Sequence, residues 1–314
     1  MGTLSYLFAI FVSVFTSIIF VSAILYSDRK SKEPKYMIAL ALLSGIFTIS
    51  LTLIIERFIL PYLSYLNLSS YGFTRILVFA FIEEAIKLIV LFFFIQKNSN
   101  FDDIYDGFVY SSLIALSFAS FETVMYVFSE SDLTSMIHLA IIRGVTTIPL
   151  HLICGIIMGY YVGTEKFSKT KTLKRLKIFN SLLFPTIVHT IYNYFLIKIL
   201  SFVNSDMLFI LLIVIFFIPL YIIGVIYINR TKIVNESFMN NKKTIGLFTN
   251  KEYKNIDKRN DNQRHRIITL HHDSLYDLVC IQCKIENTKP LCLHRDNEKQ
   301  QKLHIREYQC KSKE

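Results

Sequence analysis

The chain reads as an all-α, polytopic transmembrane helical bundle, and three observations carry that reading. Hydrophobic residues make up 53% of the 314 positions, and the mean hydropathy is +0.43. Charged residues reach only 18%, too few to cover the surface of a soluble protein of this length. Apolar runs long enough to cross a bilayer recur along the chain, separated by short polar loops.

About seven spans are predicted. The first, 4–26, has no basic start and is long enough to cross, so it reads as a mature helix and not a cleaved signal. The second covers 36–60, with Glu56 and Arg57 blurring its end. The third, 72–95, and the fourth, 107–128, carry acidic residues near their middles. The fifth, 136–162, contains Pro149, which should kink it just before His151. The sixth is 178–200 and the seventh 207–229.

Basic residues follow the first, fifth and seventh spans: Arg29, Lys30, Lys32 and Lys35; Lys166 through Lys177; Arg230 and Lys232. The loop 61–71 has no charge, and the loop 129–135 has only Glu130 and Asp132. The positive-inside rule then puts the N-terminus outside and the C-terminus in the cytoplasm. A transmembrane domain over 1–229 is followed by a basic tail, 230–314, with 18 Lys/Arg against 11 Asp/Glu. That tail reads as solvated, unstructured chain drawn to anionic headgroups, or as the holder of a small zinc site on Cys280, Cys283, Cys292 and His294. Its cytoplasmic placement argues against disulfides.

The informative residues are ionisable groups at membrane depth. Glu83 and Glu84 fall near the midpoint of the third span, with Lys87 one turn on and able to reach back to them. Each buried charge costs about 2.5–3.5 kcal/mol on insertion scales. A packing ion pair needs one glutamate; two adjacent ones suit acid–base work on water. Glu122 is the only charge between Gly107 and Phe128. The fifth span adds Arg143 and His151, and the sixth adds His189 with Asn193 at i+4. Gly155, Gly159 and Gly163 form a stripe for close helix packing. Cys154 reads as a small core residue, and His138 as interfacial.

These motifs together resemble the PrsW family of intramembrane proteases, within the wider group that includes the CAAX prenyl endopeptidases. The resemblance rests on Glu83-Glu84-x-x-Lys87, Phe118-x-x-x-Glu122, Arg143 with His151, and His189-x-x-x-Asn193, in order and in separate spans. It covers about residues 36–200. It implies an endopeptidase of bacterial plasma membranes that cuts single-span membrane proteins, in relatives an anti-sigma factor. It implies Glu83, Glu84, Glu122, His151 and His189 as catalytic residues, supported by Lys87, Phe118, Asn193 and Arg143. No nucleic acid is expected. A metal-free glutamate mechanism is the favoured form; a divalent ion such as zinc would take His151, His189 and Glu122. A proton-coupled transporter, or a scaffold of the same fold without catalysis, is the competing reading.

Overall fold

The computed structural model describes residues 3–29, 32–66, 72–202, 206–257, 291–294 and 304–307. It is overwhelmingly helical: α1 Thr3–Ser27, α2 Lys35–Tyr65, α3 Phe73–Val90, α4 Tyr105–Val127, α5 Leu133–Val145, α6 Thr147–Lys166, α7 Lys171–Phe202 and α8 Asp206–Asp257. α3 runs on into one stretch of wider π-helix, Leu91–Gln96. Contacts group Met1–Asn235 as one compact unit and Glu236–Glu314 as another. In the second unit α8 continues helical through Asp257, and β1 Leu291–His294 pairs antiparallel with β2 His304–Glu307. Cys280 and Cys283, half of the expected zinc set, lie outside the described residues, while Cys292 and His294 fall on β1.

Five helical segments among the described residues are long and apolar enough to cross a membrane: Leu4–Ser27, Lys35–Tyr65, Tyr105–Val127, Leu133–Lys166 and Leu211–Asn240. The protein is therefore an integral membrane protein. Of the seven expected spans, α3 and α7 are absent from this set. α3 carries Arg75, Glu83, Glu84 and Lys87 within 18 residues, so its polarity, the feature of interest, is also what removes it.

The expected fifth span is two helices. α5 and α6 meet at Thr146, with φ −118° and ψ −67°. The break lies ahead of Pro149, not at the residue before His151, for a steric reason. A proline ring excludes the carbonyl four residues earlier, here that of Val145, so the helix must restart between them. Pro149 then sits in the first turn of α6, where a missing N–H costs nothing. The first backbone bond of α6 runs from the Leu150 N–H to the Thr146 carbonyl, 3.1 Å. The broken end is satisfied by hydroxyls: Tyr192 O–H donates to Thr146 Oγ1 at 3.0 Å and lies 2.9 Å from Thr147 Oγ1.

The core is built on α4 and α6. Every residue from Thr146 to Gly159 is buried, and so is every one from Tyr105 to Ala119 except Ser117. The glycine stripe explains how the two helices come together. A Cβ at Gly107 would lie 2.8 Å from the Gly163 backbone, and one at Gly155 would lie 2.8 Å from Ala115 Cβ. Cys154 is fully buried in the cluster of Leu150, Ile153, Ile157, Tyr192, Phe217 and Leu220, and His138 is exposed on α5. A second close approach joins α2 to α4 at Gly45, where a Cβ would be 2.6 Å from Ser117 Cβ. α3 packs against α2 and α7, which brings its polar face towards α4, α6 and α7.

Candidate active site

Helical spacing sets what α3 can present. Glu83 and Glu84 are about 100° apart around the axis, and Lys87 stands one turn further on between them. Lys87 Nζ donates to Glu84 Oε1 at 2.8 Å and lies 3.7 Å from Glu83 Oε2. All three are buried: Glu83 is 9% exposed, Glu84 0% and Lys87 1%. Charges this deep persist only when paired and hydrogen-bonded.

The remaining residues close a chain of contacts around this pair. His189, from α7, has Nδ1 3.0 Å from Glu84 Oε1 and Nε2 3.9 Å from Glu83 Oε2. His151, from α6, has Nδ1 3.1 Å from Lys87 Nζ and Nε2 3.1 Å from Glu122 Oε2. Arg143, at the last turn of α5, places Nη2 2.9 Å from the same Glu122 oxygen. Phe118 supplies the floor: Lys87 Nζ lies 3.9 Å from its ring centroid and the His151 ring 5.3 Å. The two histidine rings meet edge to face at 4.8 Å.

Proton positions follow from donor rules. An ammonium only donates, so His151 Nδ1 accepts from Lys87, and its proton is on Nε2, donated to Glu122. Glu84, held by Lys87, accepts from His189 Nδ1–H, which leaves His189 Nε2 facing Glu83. The 3.9 Å between His189 Nε2 and Glu83 Oε2 is too long for a hydrogen bond and suits a shared water. Glu83 Oε2 and Glu84 Oε2 are both buried without a hydrogen-bond partner. Orphaned buried carboxylate oxygens in one pocket call for water or a cation.

The structure thus brings together Glu83, Glu84, Lys87, Phe118, Glu122, Arg143, His151 and His189. Asn193, one turn beyond His189, is half-buried and makes none of the contacts above. The metal-capable set differs from the one expected. Glu83, Glu84, His151 and His189 offer ligand atoms all within 4.8 Å of one another, whereas Glu122 is engaged with Arg143 and His151. Two carboxylates and two imidazoles are a suitable donor set for zinc, and the two unpartnered oxygens fit that use. His151 would have to give up Lys87 to join.

Sequence reasoning passed over three features. Tyr192 secures the α5–α6 break; its signal was a tyrosine within a polar stretch of a span. Gly45 had a detectable signal, a lone glycine in an apolar run. Glu56 was treated only as an uncertain boundary. Asp102, Asp103 and Asp106 form a second acidic group, which α4 capping accounts for. Asp106 Oδ2 accepts the N–H groups of Asp102 and Asp103 at 2.6 and 2.9 Å, and Asp103 Oδ1 accepts that of Asp106 at 3.0 Å.

Comparison with known proteins points to one family. A family model described as PrsW family intramembrane metalloprotease matches residues 33–223. The chain is 29% identical over 218 residues to Protease PrsW of Clostridioides difficile strain 630, covering 69% of this chain and 86% of that protein. It is 36% identical over 176 residues to Protease PrsW of Oceanobacillus iheyensis, covering 50% and 79%. Against Protease PrsW of Bacillus subtilis strain 168 it is 31% identical over 125 residues, 40% of this chain and 54% of that protein. No solved structure matches the chain.

Proposed function

The chain belongs to the PrsW family of intramembrane proteases and is a peptidase, and from that premise we propose that it hydrolyses single-span membrane proteins with a water activated by Glu83. The observation that carries this is the unpartnered Glu83 Oε2 facing His189 Nε2 across 3.9 Å. A water held between them donates one proton to the carboxylate and one to the imidazole, which turns its lone pair towards a peptide carbonyl.

The roles of the other residues follow from their contacts. Glu84, fully buried and tied to Lys87 and His189, is the anchored partner that orients His189 and keeps its proton on Nδ1. Glu122 and Arg143 orient His151, which in turn positions Lys87. The amide of Asn193 is a donor for the developing oxyanion, one turn along α7 from His189. Protonated Glu83 then returns its proton to the leaving amine. A divalent ion, when bound, would be held by Glu83, Glu84, His151 and His189 and would polarise the water and the scissile carbonyl. The family description as a metalloprotease supports that addition over the metal-free form favoured from sequence.

We place α3 and α7 across the membrane as well, giving seven crossings with the N-terminus outside. α3 can cross because its charges are paired inside the bundle and not offered to lipid. A bacterial plasma membrane is the proposed location, and an anti-sigma factor with a single span is one substrate of the proposed kind. Peptidase membership displaces the transporter and scaffold readings. The test is cleavage of single-span reporters in proteoliposomes by wild type, Glu83→Gln, Glu84→Gln and His189→Ala proteins, each with and without chelator. Cleavage that persists in all three variants would sink this site.

A further inference from the structure

One carboxylate near the site has no role in the chemistry above. Glu56 lies on α2, inside the candidate span Lys35–Tyr65. It is nine residues from the Tyr65 end of α2, and Glu83 is ten from the Phe73 end of α3. At roughly 1.5 Å per residue both lie about 14–15 Å from the end of the hairpin where the two helices are joined. Packing fixes their adjacency: Ile55 and Ile59 of α2 sit against the Ile82–Ile86–Val90 cluster of α3. Glu56 lies one turn from the buried Thr52 and one turn from Ile59, on the face of α2 that packs against α3. It therefore faces the catalytic cluster and not the lipid.

Its surroundings leave it unmatched. Lys87 is taken up by Glu84 at 2.8 Å and Arg143 by Glu122 at 2.9 Å. Glu83 and Glu84 each have Lys87 and His189 within 4.0 Å, and Glu122 has His151. Among the described residues, no cation or histidine stands in that range of Glu56. Arg57, next along the helix, is exposed and about 100° away. One turn back on the same face of α2, the Thr52 hydroxyl is 1% exposed and also has no partner. Unlike Glu83 and Glu84, Glu56 is only half-buried, so it stands at the margin of the buried cluster. Counting Glu56, Glu83, Glu84 and Glu122 against Lys87 and Arg143, four carboxylates face two fixed cations. A carboxylate at membrane depth is retained when a cation meets it.

We propose that Glu56 is a specificity-determining residue that pairs with a Lys or Arg side chain of the substrate beside its scissile bond. The inference rests on the peptidase reading and extends it to the substrate's chemistry. A single-span segment that carries a cation near the cut satisfies Glu56 as it binds. A segment with an acidic residue there meets Glu56, Glu83 and Glu122 together and is rejected, so the same groups attract one substrate and exclude the other.

The experiment compares matched single-span reporters carrying Lys, Ala or Glu at scanned positions flanking the cut, in proteoliposomes. Wild type should favour the Lys reporter over the Ala reporter by about tenfold in kcat/KM, mostly through KM. Glu56→Gln should erase the preference, Glu56→Asp should restore part of it, and Glu56→Lys should favour the Glu reporter. A wild type indifferent to reporter charge, or a preference unchanged in Glu56→Gln, overturns the proposal. A second arm measures binding of the Lys and Glu reporters to Glu83→Gln protein, with and without Glu56→Gln. If wild type cleaves nothing yet binding still discriminates through Glu56, the peptidase chemistry fails and the specificity role stands. Cleavage without discrimination fails only the specificity role.

Discussion

Lys87 Nζ sits 2.8 Å from Glu84 Oε1 and 3.1 Å from His151 Nδ1, so one buried ammonium joins α3 to α6 and fixes which glutamate is tied down. Lys87→Met removes that charge and leaves Glu84 ionised without its main partner at 0% exposure. Breaking a buried pair from one side costs about 3–5 kcal/mol. The expected outcome is a large drop in thermal stability in detergent. The double variant Lys87→Met with Glu84→Gln should recover part of it, because no bare charge then remains. A double variant less stable than Lys87→Met alone would contradict the pairing.

The two glutamates should separate by phenotype. Glu83 makes no close hydrogen bond and Glu84 makes two. Glu83→Gln should therefore keep stability near wild type while kcat falls by about 10²–10⁴-fold, the usual worth of a general base. Glu84→Gln should lose both activity and stability, since Lys87 and His189 then surround a neutral amide. Parallel measurements of unfolding midpoint and single-turnover cleavage check this; equal destabilisation by both would argue against the division of roles.

Residues whose type alone signals membrane depth were legible in the sequence. Glu83, Glu84, Glu122, His151 and His189 announced themselves because charge and imidazole are costly in hydrocarbon, and the structure collects all five. The glycine stripe of α6 was legible for the same kind of reason: spacing by four puts small residues on one face. The α5–α6 break was not. Pro149 located the disturbance, but where the helix parts depends on which residue can leave helical geometry, and Thr146 does so because Tyr192 waits across the bundle. Glu56 was missed because Arg57 beside it imitates a span boundary; the expected span already ran past both to residue 60, but only the packing of Ile55 and Ile59 on α3 shows which face Glu56 shares. The ligand set also needed three dimensions. Glu122 and Glu83 are equally good donors on paper, and it is Arg143 that takes Glu122 out of reach.

A pH effect is expected where α1 ends. Asp28, just beyond α1, is buried, and its carboxyl is pushed up to about 7, first by burial and then by the nearby charge of Glu33. Glu33 is itself raised, chiefly by burial. From about pH 4, the ordinary carboxylate range, up to about 7, the folded protein keeps a proton on Asp28 that the unfolded chain releases. Stability contributed here is thus present at low pH and lost as pH rises through 7. Asp28→Asn should flatten the fall in unfolding midpoint between about pH 4 and about 7, with a residual slope from Glu33. A fall of unchanged steepness in the variant would show that Asp28 does not hold that proton.

Tyr192 tests whether the helix break serves the site. Its hydroxyl donates to Thr146 Oγ1 and lies 2.9 Å from Thr147 Oγ1, and all three residues are buried. Tyr192→Phe takes the partner from the buried Thr147 hydroxyl, while Thr146 Oγ1 keeps its bond to the Ile142 carbonyl at 2.7 Å, at a cost of about 1–3 kcal/mol. Arg143 lies three residues before the break and His151 five after it, so loosening Thr146 also blurs the grip on Glu122 from both sides. The expected result is lower stability together with a fall in kcat that exceeds the change in KM. A double-mutant cycle with Thr147→Ala separates the hydroxyl contact from lost packing. If the contact matters, the second substitution should add less than its effect alone, because the bond it would break is already gone. Strict additivity would show that Tyr192 acts through its ring against Phe217 and not through the break.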